Sequence, residues 1–515
     1  MPPLLLRVLV CGLALADPAA ARQVPVVEHT LANGLKLLLV ERHDEPTVAA
    51  GWVAHAGSAN ERPGITGMAH LLEHMMFKGT PTVGTTDPQR DLAIIGEQED
   101  LVAQMRAEEA KVRAAHRRGE VADPTRPEAM SARWRELEAR LKVLAAEQQR
   151  LLVKNEFDRI YTAAGTSGMN AFTSQDETAY FITVPANKLE LWMWMESERL
   201  RQPVFREFYP ELDVVREERR LSVEATPLGA FEEQFNAMFW DAHPYQWPIL
   251  GWPSDLATIT RRQADAFFAT YYAPGNVTAI LVGDFRQDEA LALVEKYFGR
   301  IPSGTDKAPE VVTREVGQRA EKRMNAAAEV NPRVDILWHT VPSGHRDSYP
   351  LEVLAQVLGG RSGRLYQGLV RGRGLATETA AAQQAMKWAG CFNISAECGE
   401  GRAPAEVEQA IHAELDKLAR EAVPAAELQK VKNRLAAAEY RRLTSNMSIL
   451  FALVFAEGGG DWRELNTAGA KYQAVTAADL RRVATTYFAR ENRCVASYTR
   501  KPATPAENPN RDPQP

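Results

Sequence analysis

His70 and His74 stand four residues apart in the run His70-Leu71-Leu72-Glu73-His74. On a helix, residues i and i+4 share a face, so both imidazoles can reach one metal ion. Glu73 falls between them, where its carboxylate can serve as general base toward a water held at the metal's open position. With 10 histidines in 515 residues, chance produces this pattern in about one chain of such composition in a hundred. The competing reading is a pair of core histidines satisfied by hydrogen bonds.

Two imidazoles do not complete a catalytic zinc site, which takes three protein ligands and a water. The acidic helical stretch Glu211-Leu212-Asp213-Val214-Val215-Arg216-Glu217-Glu218-Arg219-Arg220 offers carboxylates. Glu211 and Glu218 lie seven apart and share a face, and Glu217 lies about 100° round the helix from Glu218. Spacing alone leaves each of them equally a solvated surface charge.

The elements that must position these groups follow from periodicity. Residues 26–56 alternate apolar and polar around Ala32-Asn33-Gly34, which predicts two or three strands, the first two a hairpin. Pro63-Gly64 then opens a helix over 64–78 that carries the histidines. From about 88 to 160 the composition turns to Ala, Glu, Arg, Gln and Leu, with Leu101, Met105 and Val112, then Trp134, Leu137, Leu141, Leu144 and Leu151, at three/four spacing. This predicts a helical hairpin turning near Gly119 and Pro127, a scaffold or docking arm without chemistry of its own.

Strand character returns over 170–184, followed by helices over about 188–201 and 208–224. Thr260-Arg261-Arg262-Gln263 and Thr476-Ala477-Ala478-Asp479 each open a helix as a capping box, leading to a strand after Asn276 and Asn492. The offsets agree, 476 − 260 = 492 − 276 = 216, the mark of two related halves. The charged, proline-bearing stretch 302–328 predicts the connection between them, and 502–515 a disordered tail.

At 515 residues, 45% hydrophobic and 25% charged, the chain is long enough for more than one folded domain. A net charge of −6 spread along it argues against a nucleic-acid partner. Residues 1–21 predict a signal peptide: an apolar run over 4–16, too short to span a bilayer, then Ala19-Ala20-Ala21 before Arg22. The mature chain is then expected in the periplasm. Cys11 is flanked by Val10 and Gly12, which does not suit a lipoprotein. Cys391, Cys398 and Cys494 are odd in number, lack paired metal-binding spacing and read as small buried hydrophobes.

The segment Gly64-Ile65-Thr66-Gly67-Met68-Ala69-His70-Leu71-Leu72-Glu73-His74-Met75-Met76-Phe77-Lys78-Gly79-Thr80 resembles the active-site segment of the pitrilysin/insulinase-like zinc metallopeptidases, the inverzincins, which include mitochondrial processing peptidase. Asn170-Ala171-Phe172-Thr173-Ser174 with Thr178-Ala179-Tyr180, then Val214 to Arg220, continue the resemblance in the family's order. Weaker similarity covers almost all of the mature chain.

The resemblance implies one Zn2+ per chain held by His70, His74 and Glu218, with Glu73 as general base and Glu211 supporting the metal shell. It implies that peptide lies along a strand edge at Asn170, Ala171, Phe172 and Thr173. The implied fold is α+β: two related domains, each a mostly antiparallel sheet with helices packed on one face. The first would span 22–301, interrupted by the arm at 88–160, and the second 329–501. The implied activity is that of a zinc-dependent endopeptidase on extended or unfolded peptides. A non-catalytic assembly subunit is the rival, against which an intact Glu73 argues.

Two departures stand out. His74 and Glu218 are 218 − 74 = 144 residues apart, more than the family's pattern, and the arm accounts for the excess. The family's second half often carries an Arg and a Tyr, seven apart, that hold substrate; here Val370 and Thr377 stand at those places, with Arg371 beside. Neither side chain can bind an oxyanion as Arg and Tyr do. The resemblance therefore implies a heterodimer in which a related subunit supplies the Arg and Tyr, or else substitution by Arg371.

Overall fold

The computed structural model describes residues 23–304 and 307–501; the expected signal peptide over 1–21 and tail over 502–515 lie outside the described residues. Among the described residues, strands form two sheets. β1 (Val27–Thr30), β2 (Lys36–Glu41), β3 (Thr47–Ala54), β4 (Ser167–Thr173), β5 (Thr178–Pro185) and β6 (Val277–Gly283) are ordered β1-β2-β6-β3-β5-β4. β7 (Lys322–Ala328), β8 (Arg333–Thr340), β9 (Ala376–Ala385), β10 (Gly390–Cys398) and β11 (Arg493–Arg500) are ordered β7-β11-β8-β10-β9. Without β1 the two orders correspond strand for strand. Each sheet has one parallel pair, β2 with β6 and β7 with β11, amid antiparallel neighbours.

The expected connection over 302–328 ends earlier than the sequence suggests, because β7 is already part of the second sheet. As an edge strand it alternates half-buried and exposed residues, Lys322 and Arg323 among them, and so resembles a charged linker.

The first sheet carries α1 (Met68–Met75) on the face where Leu37, Leu39, Ala50, Trp52 and Leu281 meet Leu71, Leu72 and Met75 in one core. α2 (Pro88–Arg117) and α3 (Ala132–Leu151) follow as the helical arm. Each starts at a side-chain cap, Asp87 accepting from Arg90 N and Ser131 from Trp134 N. Leu101, Met105 and Leu137 give the arm a small core of its own. Its two feet meet: Thr86 N donates to Leu151 O at 2.8 Å and Val153 N to Gly84 O at 3.1 Å.

The arm does not run to 160. After Leu151 the chain turns into α4 (Glu156–Ala163), whose Phe157 and Tyr161 are buried in the main core, with the Tyr161 hydroxyl donating to the buried Glu196 at 2.6 Å. α5 (Leu189–Arg201), α6 (Phe208–Arg219), α7 (Gly229–Phe239) and the short helix Pro253–Leu256 precede the capped helix Arg261–Tyr271. After α6 the helix widens into a π turn over Arg220–Glu224.

The two halves exchange helices. The helix Asn446–Gly458 from the second half lays Ile449, Leu450, Leu453 and Val454 on Leu38, Val40, Ala49 and Val282, covering the other face of the first sheet. In return, α7 places Phe235 and Phe239 against Cys494, Ala496 and Tyr498 of the second sheet. Adding 216 to α7 gives 445–455, so the exchanged helices are equivalents in the repeat. This double coverage explains why β2 and β3 are buried nearly throughout instead of alternating as expected.

Cys391, Cys398 and Cys494 are buried and unpaired. Among the described residues, no helix is long and apolar enough to cross a membrane.

Candidate metal centre

Two carboxylates set the start of α1. Glu61 accepts from Gly67 N at 2.8 Å and Ala69 N at 2.7 Å, and Asp255 accepts from Gly64 N, Thr66 N and Thr66 Oγ1. Gly67 takes φ +87°, and a Cβ there would lie 2.7 Å from Leu250 O, so a side chain is excluded on both counts.

From this fixed start, α1 points His70 and His74 at α6. His70 Nε2 lies 3.7 Å and His74 Nε2 3.4 Å from Glu218 Oε2. These three ligand atoms lie within 4.8 Å of one another, and no other group of three His, Cys, Asp or Glu does so among the described residues. Burial, and then the neighbouring His74, push the His70 pKa down to about 4, which keeps the imidazole in its neutral, metal-binding form.

His74 Nδ1 lies 2.9 Å from Glu211 Oε1, and Lys78 Nζ 2.5 Å from Glu211 Oε2. Glu211 thus fixes the imidazole from behind and is itself held by Lys78. Glu217 turns away: its exposed carboxylate takes Arg220 Nε and Nη2 at 2.8 and 2.7 Å.

Glu73 sits half-buried beside the histidines, and burial raises its pKa despite the opposing Thr173 hydrogen bond. The Thr173 hydroxyl donates to Glu73 Oε2 at 2.6 Å. Sequence reasoning placed Thr173 on the strand edge with Asn170, Ala171 and Phe172. The four do lie on β4, which ends the sheet and pairs only with β5 among the described strands. What spacing gave no signal for is the direction of the Thr173 hydroxyl, toward Glu73.

A cleft of about 500 Å³ opens beside Glu73 and His74, lined also by Asn170, Lys78 and 152–157 at the foot of the arm. The arm's return segment, expected to carry no chemistry, therefore borders the site. In the second half, Val370 packs against that half's core and the Thr377 hydroxyl donates to Glu397 Oε1 at 2.9 Å. Arg371 is solvent-exposed.

A family profile described as insulinase (peptidase family M16) matches residues 36–105, and one described as peptidase M16 inactive domain matches residues 258–435. The chain is similar to the zinc protease PqqE of Helicobacter pylori, 26% identical over 473 residues that cover 89% of either protein. Its fold is similar to the crystal structure of a protease from Helicobacter pylori, with a TM-score of 0.74 at 23% identity, covering 92% of this chain and 99% of that one. It is also similar to the periplasmic protease PqqL from Escherichia coli, with a TM-score of 0.66 at 16% identity, covering 92% of this chain but 48% of that one. This chain thus spans about half the length of PqqL. One M16 profile thus matches within the first half, the other runs into the second, and a relative aligns over 89% of the sequence, so the chain is similar to the insulinase (M16) peptidases along most of its length.

Proposed function

We propose that this chain is a zinc-dependent endopeptidase acting on extended or unfolded peptides. The observation that carries the reading is the convergence of His70 Nε2, His74 Nε2 and Glu218 Oε2 beside Glu73. Two imidazole nitrogens and one carboxylate oxygen are the donor set of a catalytic zinc with one position open. Glu218 Oε2 lies 3.4 and 3.7 Å from the two imidazole nitrogens, close to the roughly 3.3 Å edge of a tetrahedron with bonds of about 2.0–2.1 Å, and all three atoms lie within 4.8 Å of one another. His70, His74 and Glu218 would hold the ion, and Glu211 would fix the tautomer of His74.

When bound, zinc polarises a carbonyl and makes water more acidic. Glu73 takes a proton from the attacking water and passes it to the leaving amine, while the Thr173 hydroxyl holds the carboxylate in place. Substrate adds as a strand to the open edge of β4, paired through the backbone of Asn170 to Thr173. Such pairing selects extended chains over particular sequences.

Residues 1–21 carry the composition of an export signal, and PqqL, of similar fold, is described as periplasmic, so the mature chain belongs in the periplasm. PqqL is about twice as long as this chain, so a second related subunit would make up the difference and supply the Arg and Tyr that Val370 and Thr377 replace. A non-catalytic assembly subunit is the second reading, favoured by those replacements and by the description of the second profile as an inactive domain.

Metal content and hydrolysis of a quenched peptide library test the proposal. The Glu73→Gln protein is expected to retain zinc and to lose at least about a hundredfold in rate. A metal-replete Glu73→Gln protein with full activity would overturn the mechanism, and a zinc-loaded wild type that cleaves nothing, alone or with a related subunit, would favour the assembly reading.

A further inference from the structure

Thr173 ends β4, and the turn Ser174 to Glu177 joins it to β5. The first domain packs tightly under this turn. Ser58 N donates to Ser174 O at 3.1 Å and Ala59 N to Gln175 O at 2.8 Å, while a Cβ on Gly57 would fall 2.3 Å from Ser174 O. The Ser174 hydroxyl oxygen accepts from Asp176 N and Glu177 N, both at 3.1 Å, which stiffens the turn from within.

The second domain grips the same turn. Asp176, 7% exposed, accepts from the Tyr245 hydroxyl at 2.7 and 2.8 Å on its two oxygens, and its Oδ2 also accepts from Lys387 N at 2.9 Å. The Tyr245 oxygen in turn accepts from Trp388 N at 3.1 Å. Lys387 and Trp388 form the turn between β9 and β10. Two backbone N–H groups of the second domain therefore end on one carboxylate–phenol pair of the first. Asp176 of that pair lies three residues from Thr173, whose hydroxyl holds Glu73.

We infer that Asp176 and Tyr245 are positioning residues that tie the placement of the second domain to the orientation of Glu73, through the turn and Thr173. The inference rests on the peptidase reading above. If the second domain shifts away, Lys387 N and Trp388 N leave the pair. Asp176 then keeps only Tyr245 as a side-chain partner, and the short turn transmits the loosened hold to Thr173 and to the substrate edge of β4. Glu73 is held in its proper orientation only with both domains seated.

The test compares zinc-loaded wild type with Asp176→Ala, Tyr245→Phe, Thr173→Val and the double variant Thr173→Val/Asp176→Ala, recording kcat, KM, zinc content and melting temperature. Each single substitution is expected to lower kcat about 10- to 100-fold through misplacement of the base, with KM changed less than about twofold and zinc retained. The double variant should fall no further than the worse single one, because both act on one chain of contacts. Thr173→Ser, which keeps the hydroxyl, should restore near-normal kcat.

A lower melting temperature with unchanged kcat per zinc-loaded molecule would show a purely structural role and overturn the inference. Losses that multiply in the double variant would do the same. Tyr245→Phe, which removes only one hydroxyl, keeps the question answerable if Asp176→Ala fails to fold. An active wild type with additive losses sinks this inference alone, whereas a wild type inactive on every peptide sinks the peptidase reading and this one with it.

Discussion

Arg206 and Asp91, far apart in sequence, meet as a fully buried ion pair, with Arg206 Nε 2.6 Å from Asp91 Oδ2 and side chains only 1% and 0% exposed. The remaining guanidinium nitrogens donate to Lys78 O, Val83 O and Thr80 O, pinning the loop that follows the histidine helix. Asp91 lies in the first turn of the arm, and its other oxygen accepts from Gln148 Nε2, which comes back up the second arm helix. The foot of the arm is thus part of the first domain, while the outer part touches chiefly itself.

Asp91→Ala is therefore expected to destabilise the protein by about 3–5 kcal/mol in urea melts, since it leaves a buried guanidinium without its counter-charge. Excising 103–138 and closing the gap with a short Gly-rich linker should leave folding and zinc content intact. A well-folded excision product without zinc would show that the outer arm also shapes the site.

Glu218→Gln should weaken zinc binding far more than Glu217→Gln, as read by competition with a chelator of known affinity. Only Glu218 faces the imidazoles, whereas Glu217 is tied to Arg220 in solvent, where an ion pair contributes little. Equal losses from the two would remove Glu218 from the ligand set.

These residues also mark where sequence stops being informative. The two capping boxes and the 216-residue offset were legible because a cap is a local pattern, and Asn276 and Asn492 confirm it by each donating to the tyrosine carbonyl five residues back at 2.8 Å. The choice between Glu217 and Glu218 depends on how α6 is rotated against α1, which no spacing within α6 contains. The helix Asn446–Gly458 is apolar enough to be buried, but periodicity does not say against what, and its partner proves to be the other half's sheet. β7 and α4 were assigned to linker and arm because half-exposed edge strands and short helices carry little periodic signal.

Glu177 makes a contribution to stability that falls as pH rises from about 4.5 to about 7. Burial, and then the neighbouring Asp176, raise its pKa to about 7 from 4.5. The folded chain therefore holds a proton there that the unfolded chain has released, so the contribution is present below about 4.5 and is lost as pH climbs to about 7. The loss is on the order of 3 kcal/mol. His55 acts oppositely: burial lowers its pKa to about 4, so its share rises between about 4 and 6.5. The wild type minus Glu177→Gln difference in urea melts at pH 5 and pH 8 isolates Glu177. Glu177→Gln should gain relative to wild type at pH 8, and an equal difference at both pH values would contradict the argument.

The most exposed prediction is that full activity needs a second, related subunit. His70, His74 and Glu218 converge beside Glu73, which Thr173 holds, but Val370 is packed into the second core and Thr377 is engaged with Glu397. Neither is free or suited to hold a substrate carbonyl as negative charge develops on it, and losing one such donor costs on the order of a hundredfold or more. This chain also covers 48% of PqqL, so a second chain of this size would restore the longer protein's extent. The lone protein should therefore cleave peptides slowly. Adding a related two-domain subunit that carries Arg and Tyr at those positions should raise kcat by about a hundredfold, with zinc content per active chain unchanged. The same gain should disappear when the partner's Arg is replaced by Ala. Arg371, exposed beside Val370, is the internal alternative: if the lone chain turns over at full rate and Arg371→Ala abolishes that rate, the donor is internal and the heterodimer idea is wrong.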